Sequence, residues 1–335
     1  MEYLPTGKLD LKFLSNLIEK YCTTNNRVVV GPKVGEDAAV IDFGDMYLIA
    51  KTDPITFVTE QIGIYAIHIN ANDIGCMGGV PKWFLANLIL PEQQSTKKLV
   101  DDIFYQIADA CSNLNISFCG GHTEVTSGID RPIVVGCMLG EVEKDKLITS
   151  AGAEINDHII LTKGIAIEAV SIIAREREAE LVDAFSQEFI EQCKNFVNDP
   201  GISVLPEVEI AQRIGGVHSF HDPTEGGLAM GLWELASAAQ VGMSIEFDKI
   251  RILPEAKLLC EQYKLDTLGI IASGALLMTV DKAKSSKIVD ALNKEGIEAE
   301  VIGKIVEAEK RVKILIKNNY YDLPKFDRDE IIKLF

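Results

Sequence analysis

Residues 35–41 read GEDAAVI, residues 51–57 read KTDPITF and residues 70–79 read NANDIGCMGG. Each stretch places a single aspartate inside an otherwise apolar segment. A carboxylate in such surroundings is costly unless a cation or a hydrogen-bond donor meets it. These three stretches therefore predict both where the chain is buried and where it holds a polar site.

The three aspartates are Asp37, Asp53 and Asp73. Brought together they would repel one another, and a shared divalent cation is one way to hold them in place. A small number of hard oxygen ligands suits Mg²⁺, which usually keeps several waters and binds polyphosphates. The pattern thus favours a magnesium site for a phosphate-bearing ligand.

The apolar pattern around these stretches predicts three short strands and one helix. The strands are expected at 27–30, 38–41 and 46–52, and the helix at 61–76. Asp37 and Asp53 then lie at strand ends, and Asp73 lies on the apolar face of the helix. A plainer interpretation is that Asp73 or Asn72 only bonds a neighbouring backbone group.

The rest of the first half completes a sheet covered by two or three helices. We expect strands at 82–90, 116–119 and 132–142, and helices at 9–21 and 96–114. Residues 120–126 read GGHTEVT directly after a predicted strand. Paired glycines let backbone approach a ligand closely, although a tight turn is an equally good explanation.

A domain boundary is expected near residues 145–155, which gives domains 1–147 and 148–335. After it, strands and helices alternate. The strands are predicted at 158–162, 217–220, 244–247, 275–280, 300–306 and 312–316, and the helices at 167–178, 201–214, 229–239, 254–263 and 282–294. The best motif of this half is HDPTEGGL at 221–228, where Gly226 and Gly227 open a helix. Its free N–H groups could bind a phosphate, or the motif could only cap the helix.

Composition limits the class of protein. The chain has 335 residues, 47% apolar and 25% charged, with a net charge of −17. That charge argues against nucleic acid as a partner, because phosphate binding needs clustered Lys and Arg. Seven cysteines without a CxxC pair indicate free thiols in a reducing compartment. The sequence starts without a signal-peptide pattern and has no apolar run of about 20 residues, so we expect a cytoplasmic protein with no membrane span.

Taken in order, GEDAAVI, KTDPITF, NANDIGCMGGVP, GGHTEVT and HDPTEGGL resemble the motifs of the aminoimidazole ribonucleotide (AIR) synthase superfamily. The chain is most similar to the hydrogenase maturation protein HypE and to AIR synthase-related proteins. The resemblance implies an α/β (α+β) fold of two domains. In that fold the N-terminal mixed sheet pairs with that of a second subunit to form a dimeric, barrel-like core. The C-terminal domain is an α/β sandwich.

The resemblance also implies ATP and Mg²⁺ as cofactors, bound near the dimer interface. By motif, the metal ligands are Asp37, Asp53 and Asp73, and the catalytic candidates are Asp222 and His122. The remaining nucleotide-binding candidates are Thr52, Asn72, Gly120, Gly121, Thr123, Thr224, Gly226 and Gly227. HypE has Asp where this chain has His122, and a neutral His is a poorer Mg²⁺ ligand than a carboxylate. Lys33 or Lys163 could neutralise phosphate charge.

One departure from HypE affects the expected reaction. HypE modifies a cysteine on its own C-terminal tail, whereas residues 329–335 read DEIIKLF and the last cysteine is Cys260. We therefore expect an ATP- and Mg²⁺-dependent enzyme that phosphorylates or activates an oxygen of a small or protein-bound acceptor, linked to hydrogenase maturation. The alternatives are a non-catalytic nucleotide-binding maturation partner, or an enzyme like thiamine-phosphate kinase or AIR synthase. Selenophosphate synthetase is disfavoured, because Cys22 is not followed by glycine.

Overall fold

The computed structural model describes residues 3–33 and 35–335, so Met1, Glu2 and Val34 of the predicted N-terminal segment and loop lie outside it. The helices are α1 Leu11–Tyr21, α2 Ile62–Cys76, α3 Lys97–Asn113, α4 Ile167–Glu176, α5 Glu178–Leu181, α6 Gln187–Lys194, α7 Leu205–Ile214, α8 Gly227–Ala239, α9 Pro254–Tyr263 and α10 Lys282–Lys294. The strands are β1 Val28–Val30, β2 Ala39–Asp42, β3 Met46–Ile55, β4 Val80–Pro91, β5 Ser117–Thr126, β6 Ile133–Glu143, β7 His158–Thr162, β8 Val217–His221, β9 Gly242–Glu246, β10 Leu277–Val280, β11 Ala299–Val306, β12 Val312–Ile316 and β13 Asn319–Asp322.

The first sheet has the strand order β1-β2-β3-β6-β4-β5. All its neighbours are antiparallel except β4 and β5, which run parallel. Helices α2 and α3 pack on one face. Nearly every residue of α2 is buried, because the helix contacts this sheet, α3 and also α7 of the second half. This explains why its sequence is apolar on all sides.

The opposite face of the first sheet is not covered by any described element. Along β4, Phe84, Ala86 and Leu88 are buried towards the helices, while Leu85 between them is 36% exposed. Alternation along a strand places Leu85 on the opposite face. The sheet is open, since β1 and β5 form its two edges within the described residues. The chain alone therefore forms no closed barrel.

The second sheet has the order β13-β12-β9-β11-β7-β10-β8 and is antiparallel except for the β12–β9 pair. Helix α8 packs on one of its faces, and α7 with α10 on the other. All four residues of β10 are buried for this reason. Helices α4, α6 and α9 join the core of the first half instead. The mixed α/β architecture predicted from the sequence is confirmed.

Most predicted elements are present, but the GGHTEVT segment is not a turn. It continues β5, with Gly120 and Gly121 at φ of 107° and 144°. A Cβ on Gly121 would collide with the Ala86 carbonyl, so the glycine allows β5 to pair with β4 across an irregular register. The sequence pattern predicts neither strand β13 nor helix α6, whereas α5 lies in the charged run to Glu188 that is typical of a solvated helix face. None of the described helices is long and apolar enough to cross a bilayer.

Candidate nucleotide and metal site

Three buried carboxylates, here called the acid cluster, meet where the first half contacts the second. Asp37 precedes β2, Asp73 lies on α2 and Asp222 follows β8, and they are 8%, 4% and 2% exposed. One ligand atom each of Asp37, Asp222 and Cys76 lies within 4.8 Å of the others. Of the predicted metal ligands, Asp37 therefore lies in this close group with Asp222, and Asp73 lies near enough that, besides burial, the charges of Asp222 and Asp37 raise its pKa.

The acid cluster has oxygens that lack partners. Among the described residues, Asp73 Oδ2 and Asp222 Oδ2 are buried and accept no hydrogen bond. Burial, with the charge of Asp37, raises the pKa of Asp222 to about 7, and burial also raises the pKa of Asp73 well above its usual value. Buried carboxylate oxygens of this kind fit a divalent cation, which would favour their charged form. The Cys76 thiol donates to Asp222 Oδ1 at 3.6 Å and is a poor ligand for Mg²⁺.

Lys51 links two of the predicted metal ligands. Its Nζ lies 3.0 Å from Asp73 Oδ1 and 3.5 Å from Asp53 Oδ2. Burial alone would lower the pKa of Lys51, but the two carboxylates outweigh it and raise the pKa. Asp53 is the more open of the two, with its side chain 29% exposed. Lys51 thus separates Asp53 from the acid cluster and supplies a fixed positive charge beside it.

His221 supplies a second positive charge. Its Nδ1 lies 2.9 Å from Asp37 Oδ1 and its Nε2 lies 3.2 Å from Glu234 Oε2. Burial would lower the pKa of His221, yet the charge and hydrogen bond of Asp37, with those of Glu234, raise it well above the usual value. The ring is therefore an imidazolium, with both N–H groups donating to carboxylates.

The N-terminal segment contacts the loop after β8. Lys8 Nζ donates to Thr224 Oγ1 at 3.1 Å and lies 3.0 Å from Glu225 Oε2. Gly7 lies against Ile332, near the C-terminal end of the chain. The predicted residue Thr224 is therefore at the edge of the cleft, with a lysine of the N-terminal segment over it.

The glycine-rich start of α8 is not free to bind an anion. The Gly226 N–H donates to Asp329 Oδ2 at 2.7 Å, and the Gly227 N–H donates to the Thr224 carbonyl at 3.0 Å. Burial raises the pKa of Asp329 to about 6. A carboxylate of this chain thus caps the helix, as one of the two sequence interpretations predicts, and binding of phosphate at this helix start stays a prediction.

The other predicted binding residues lie apart from the acid cluster. Thr52 is exposed on the face of β3 opposite Lys51 and Asp53. Asn72 donates to the Ile202 carbonyl and accepts from the Val204 N–H, so its amide joins α2 to the second half.

The GGHTEVT residues are also separate from it. The side chain of His122 is 70% exposed on the edge strand β5, and its Nε2 lies 3.3 Å from Glu124 Oε2. Gly120, Gly121 and Thr123 are exposed on the same strand. A nucleotide-binding role for these four residues stays a prediction.

Neither suggested lysine supports the site. Lys163 is buried, lies 2.8 Å from Glu207 Oε1 and donates to the Gly201 and Ser203 carbonyls. Lys33 is exposed. The lysine at the cluster, Lys51, shares a strand face with Asp53 because the two are two residues apart, and this spacing could have revealed it.

Known proteins resemble this chain over most of its length. The AIR synthase related protein, N-terminal domain, matches residues 35–142, and the AIR synthase related protein, C-terminal domain, matches residues 154–315. The chain belongs to the AIR synthase related family.

Two relatives with names match most of this chain. The chain is 28% identical over 305 residues to a Methanocaldococcus jannaschii protein named for hydrogenase expression/formation, covering 88% of this chain and 87% of that protein. It is 28% identical over 261 residues to the carbamoyl dehydratase HypE of Cupriavidus necator, covering 76% and 70%.

Solved HypE structures share the fold. HypE in its complex with HypF gives a TM-score of 0.75 at 21% identity, covering 92% of this chain and 99% of that chain. HypE in complex with ATP gives 0.72 at 18% identity, covering 93% and 90%.

Proposed function

We propose that this chain binds ATP with Mg²⁺ in the cleft between its two sheets and uses it to phosphorylate or activate an oxygen of a separate acceptor. The acid cluster carries the proposal. Two of its buried carboxylate oxygens, Asp73 Oδ2 and Asp222 Oδ2, have no partner in the part of the chain that the structure describes, and they lie at the contact between the two halves. Unsatisfied buried anions cost free energy, and a metal ion would satisfy them.

Each charged residue has a distinct part in this proposal. Asp37, Asp73 and Asp222 would hold Mg²⁺, which supplies charge neutralisation at the phosphates when it is bound. Lys51 lies beside the cluster and would contact a phosphate oxygen. His221 holds Asp37 in one orientation through its Nδ1–H. Lys8 lies over the cleft, where it can help to exclude water.

The ATP complex of HypE supports the nucleotide part, because it has the same fold. The test is thermal unfolding with and without ATP and Mg²⁺. Ligand at about 100 times its dissociation constant adds roughly 2.7 kcal/mol to the free energy of unfolding. We expect this Mg²⁺-dependent gain in the wild type and its loss in Asp222→Asn. Asp157→Asn is the matched control, since Asp157 is 4% exposed but pairs with His218. An equal gain in Asp222→Asn would refute the metal assignment.

The acceptor is proposed to be a separate molecule. Cys260 is 3% exposed inside α9, and burial raises the pKa of its thiol to about 12. The segment Glu330–Leu334 is docked, with Ile331 fully buried. A thiol held in this way is unsuited to carry a reacting group into the cleft.

The buried position of the Cys260 thiol also favours a second candidate function. In this function the chain is a maturation partner that binds the nucleotide and catalyses no reaction with it. Phosphate release in the presence of candidate acceptors distinguishes the two functions. Stabilisation by ATP without any release, together with co-purification of another maturation protein, would favour the partner. The HypE–HypF complex is a precedent in a protein of the same fold.

We also propose that two copies pair through the open face of the first sheet. Leu85 is 36% exposed there, and Val80, whose partner in β6 is Glu141 on the same face, is 55% exposed. An uncovered apolar sheet face is typical of an interaction surface. The resemblance to AIR synthase implies the same pairing.

A further inference from the structure

Lys51 lies between two of the carboxylates that the family motifs assign to a metal ion. Its ammonium is 3.0 Å from Asp73 Oδ1 and 3.5 Å from Asp53 Oδ2. A divalent ion that joined these two oxygens would have to lie between them, which is where the ammonium lies. The chain therefore supplies a cation of its own at a position that the resemblance gives to metal.

The first sheet and α2 hold this cation and its partners in place. Side chains two residues apart point to the same face of a strand, so Lys51 and Asp53 share the helix-facing side of β3 with the fully buried Ile49. The Asn70 side-chain amide donates to the Asp53 carbonyl at 3.3 Å, and Asn70 precedes Asp73 by about one turn of α2. Both carboxylates are thus carried by regular elements that pack on each other.

The surroundings keep the ammonium of Lys51 where it is. The Lys51 side chain is 21% exposed, against 6% for that of Asp73 and 29% for that of Asp53. A lysine is charged at neutral pH, since its ordinary pKa is about 10.4. Moving the ammonium away would leave the Asp73 carboxylate buried without a counter-charge, which is costly.

The ammonium leaves only some of the carboxylate oxygens open to a metal ion. Asp73 turns its Oδ1 to Lys51, whereas its Oδ2 and Asp222 Oδ2 have no partner in residues 3–33 and 35–335. Asp37 and Asp222 each have a ligand atom within 4.8 Å of the other. The oxygens available to a divalent ion are therefore those of the acid cluster, and the Asp53 carboxylate is engaged by Lys51 instead.

We propose that Lys51 takes the place of a second divalent cation, so that the chain holds a single ion on the acid cluster and Asp53 binds the ammonium instead of metal. The single ion rests on the proposed Mg²⁺ site. The exclusion of metal from the pair of Asp53 and Asp73 follows from Lys51 itself.

This replacement also gives Lys51 a contact that a metal ion would otherwise make. An ammonium has three N–H donors, and the two carboxylates engage two of them, so one remains for a phosphate oxygen. The partly exposed side chain of Lys51 would then contact the nucleotide directly, without a bridging ion.

Counting bound ions tests the proposal. Mn²⁺ is the probe, because it takes oxygen ligands as Mg²⁺ does and its free form is measured by electron paramagnetic resonance. The full chain is titrated without nucleotide. We expect one Mn²⁺ per chain for the wild type, two for Lys51→Met, and one again when Asp53→Asn is added to Lys51→Met. Lys51→Arg, which keeps the charge, and Lys146→Met, which removes an exposed lysine paired with Glu143, should each bind one.

Two single substitutions test the same division of ligands while Lys51 stays in place, so they decide the question even where Lys51→Met fails to fold. Asp53→Asn should leave the affinity for Mn²⁺ unchanged. Asp222→Asn should weaken it by about tenfold or more, since even outer-shell partners of a metal contribute that much.

Several results would overturn the replacement of metal by Lys51. These are two ions on the wild type, equal counts on the wild type and Lys51→Met, or weaker binding of Mn²⁺ by Asp53→Asn. No ion on the wild type together with one on Lys51→Met has a different meaning. It would refute the proposed Mg²⁺ site on the acid cluster and leave the exclusion of metal by Lys51 standing.

Discussion

His221 Nδ1 lies 2.9 Å from Asp37 Oδ1, and this ion pair joins the second half of the chain to the first. Both side chains are less than 10% exposed, and the other ring nitrogen of His221 lies 3.2 Å from Glu234 Oε2. A buried pair of this kind fixes geometry more than it adds stability, because desolvation offsets much of the attraction. Removing one partner is different, since it leaves a buried charge without compensation.

We therefore expect His221→Gln to lower the free energy of unfolding by about 3–5 kcal/mol, the range for breaking a buried ion pair. The pKa of His221 is raised in the folded state, so its contribution is complete below the ordinary histidine pKa and is lost as pH rises through the raised value. Urea unfolding across this pH range measures the effect. A second substitution, Asp37→Asn, should restore part of the loss in a double-mutant cycle. Additive losses would show that the two groups are not coupled.

Lys51→Met should make the acid cluster more dependent on Mg²⁺. Without the ammonium, Asp53 and Asp73 face each other with no positive charge between them. We expect lower stability in the absence of metal and a larger gain on adding Mg²⁺ than in the wild type, since the ion replaces the lost charge. Melting temperature against Mg²⁺ concentration is the measurement.

The control for this experiment is Lys146→Met. Lys146 forms an exposed pair with Glu143, and such pairs contribute at most about 1 kcal/mol. Its response to Mg²⁺ should match that of the wild type. If Lys51→Met also responds as the wild type does, Asp73 does not contact the metal.

Glu168 should give the protein a distinctive pH dependence. Its pKa is about 8 in the folded chain against 4.5 as the ordinary value, so the folded state binds more protons between these limits. Stability therefore falls as pH rises from about 4.5 to 8. Burial is the main cause of this raised pKa; the Ser273 hydroxyl opposes it, and the charged groups that act on Glu168, which are Glu225, Asp329 and Asp53, add to it.

Glu168→Gln removes this titration. Relative to the wild type, the variant should gain a few kcal/mol in its free energy of unfolding between pH 5 and pH 8, at about 1.4 kcal/mol per pKa unit. Urea unfolding of both proteins over this range tests the prediction. Parallel curves for the two proteins would mean that Glu168 titrates normally.

The sequence predicted the elements that carry the acid cluster better than it predicted the cluster itself. Asp37 and Asp73 were recognised because each lies alone in an apolar segment of regular period. The pairing of His221 with Asp37 spans 184 residues and depends on how the two sheets are packed, so no local pattern predicts it. The capping of Gly226 by Asp329 depends in the same way on contacts made 103 residues away.

The error at GGHTEVT has a local cause. Paired glycines favour turns, but here they let an edge strand approach its neighbour. Gly121→Ala should therefore lower the free energy of unfolding by several kcal/mol, because the new Cβ meets the Ala86 carbonyl at a φ that alanine avoids. Gly128→Ala is the control, since its φ of 84° is also positive but its Cβ would meet nothing. Equal losses in the two variants would show that the collision contributes nothing.

Leu85→Glu tests the proposed pairing of two copies. Leu85 points away from the core of its own chain, so the substitution should change the melting temperature of a monomer little. In a dimer it places charges in an apolar interface, and such charges are strongly unfavourable there. Light scattering coupled to size-exclusion chromatography should therefore show dimers for the wild type and monomers for the variant. Tyr105→Glu, at a residue 70% exposed on α3, should remain dimeric. A wild-type monomer, or a Leu85→Glu dimer, would exclude this face as the interface.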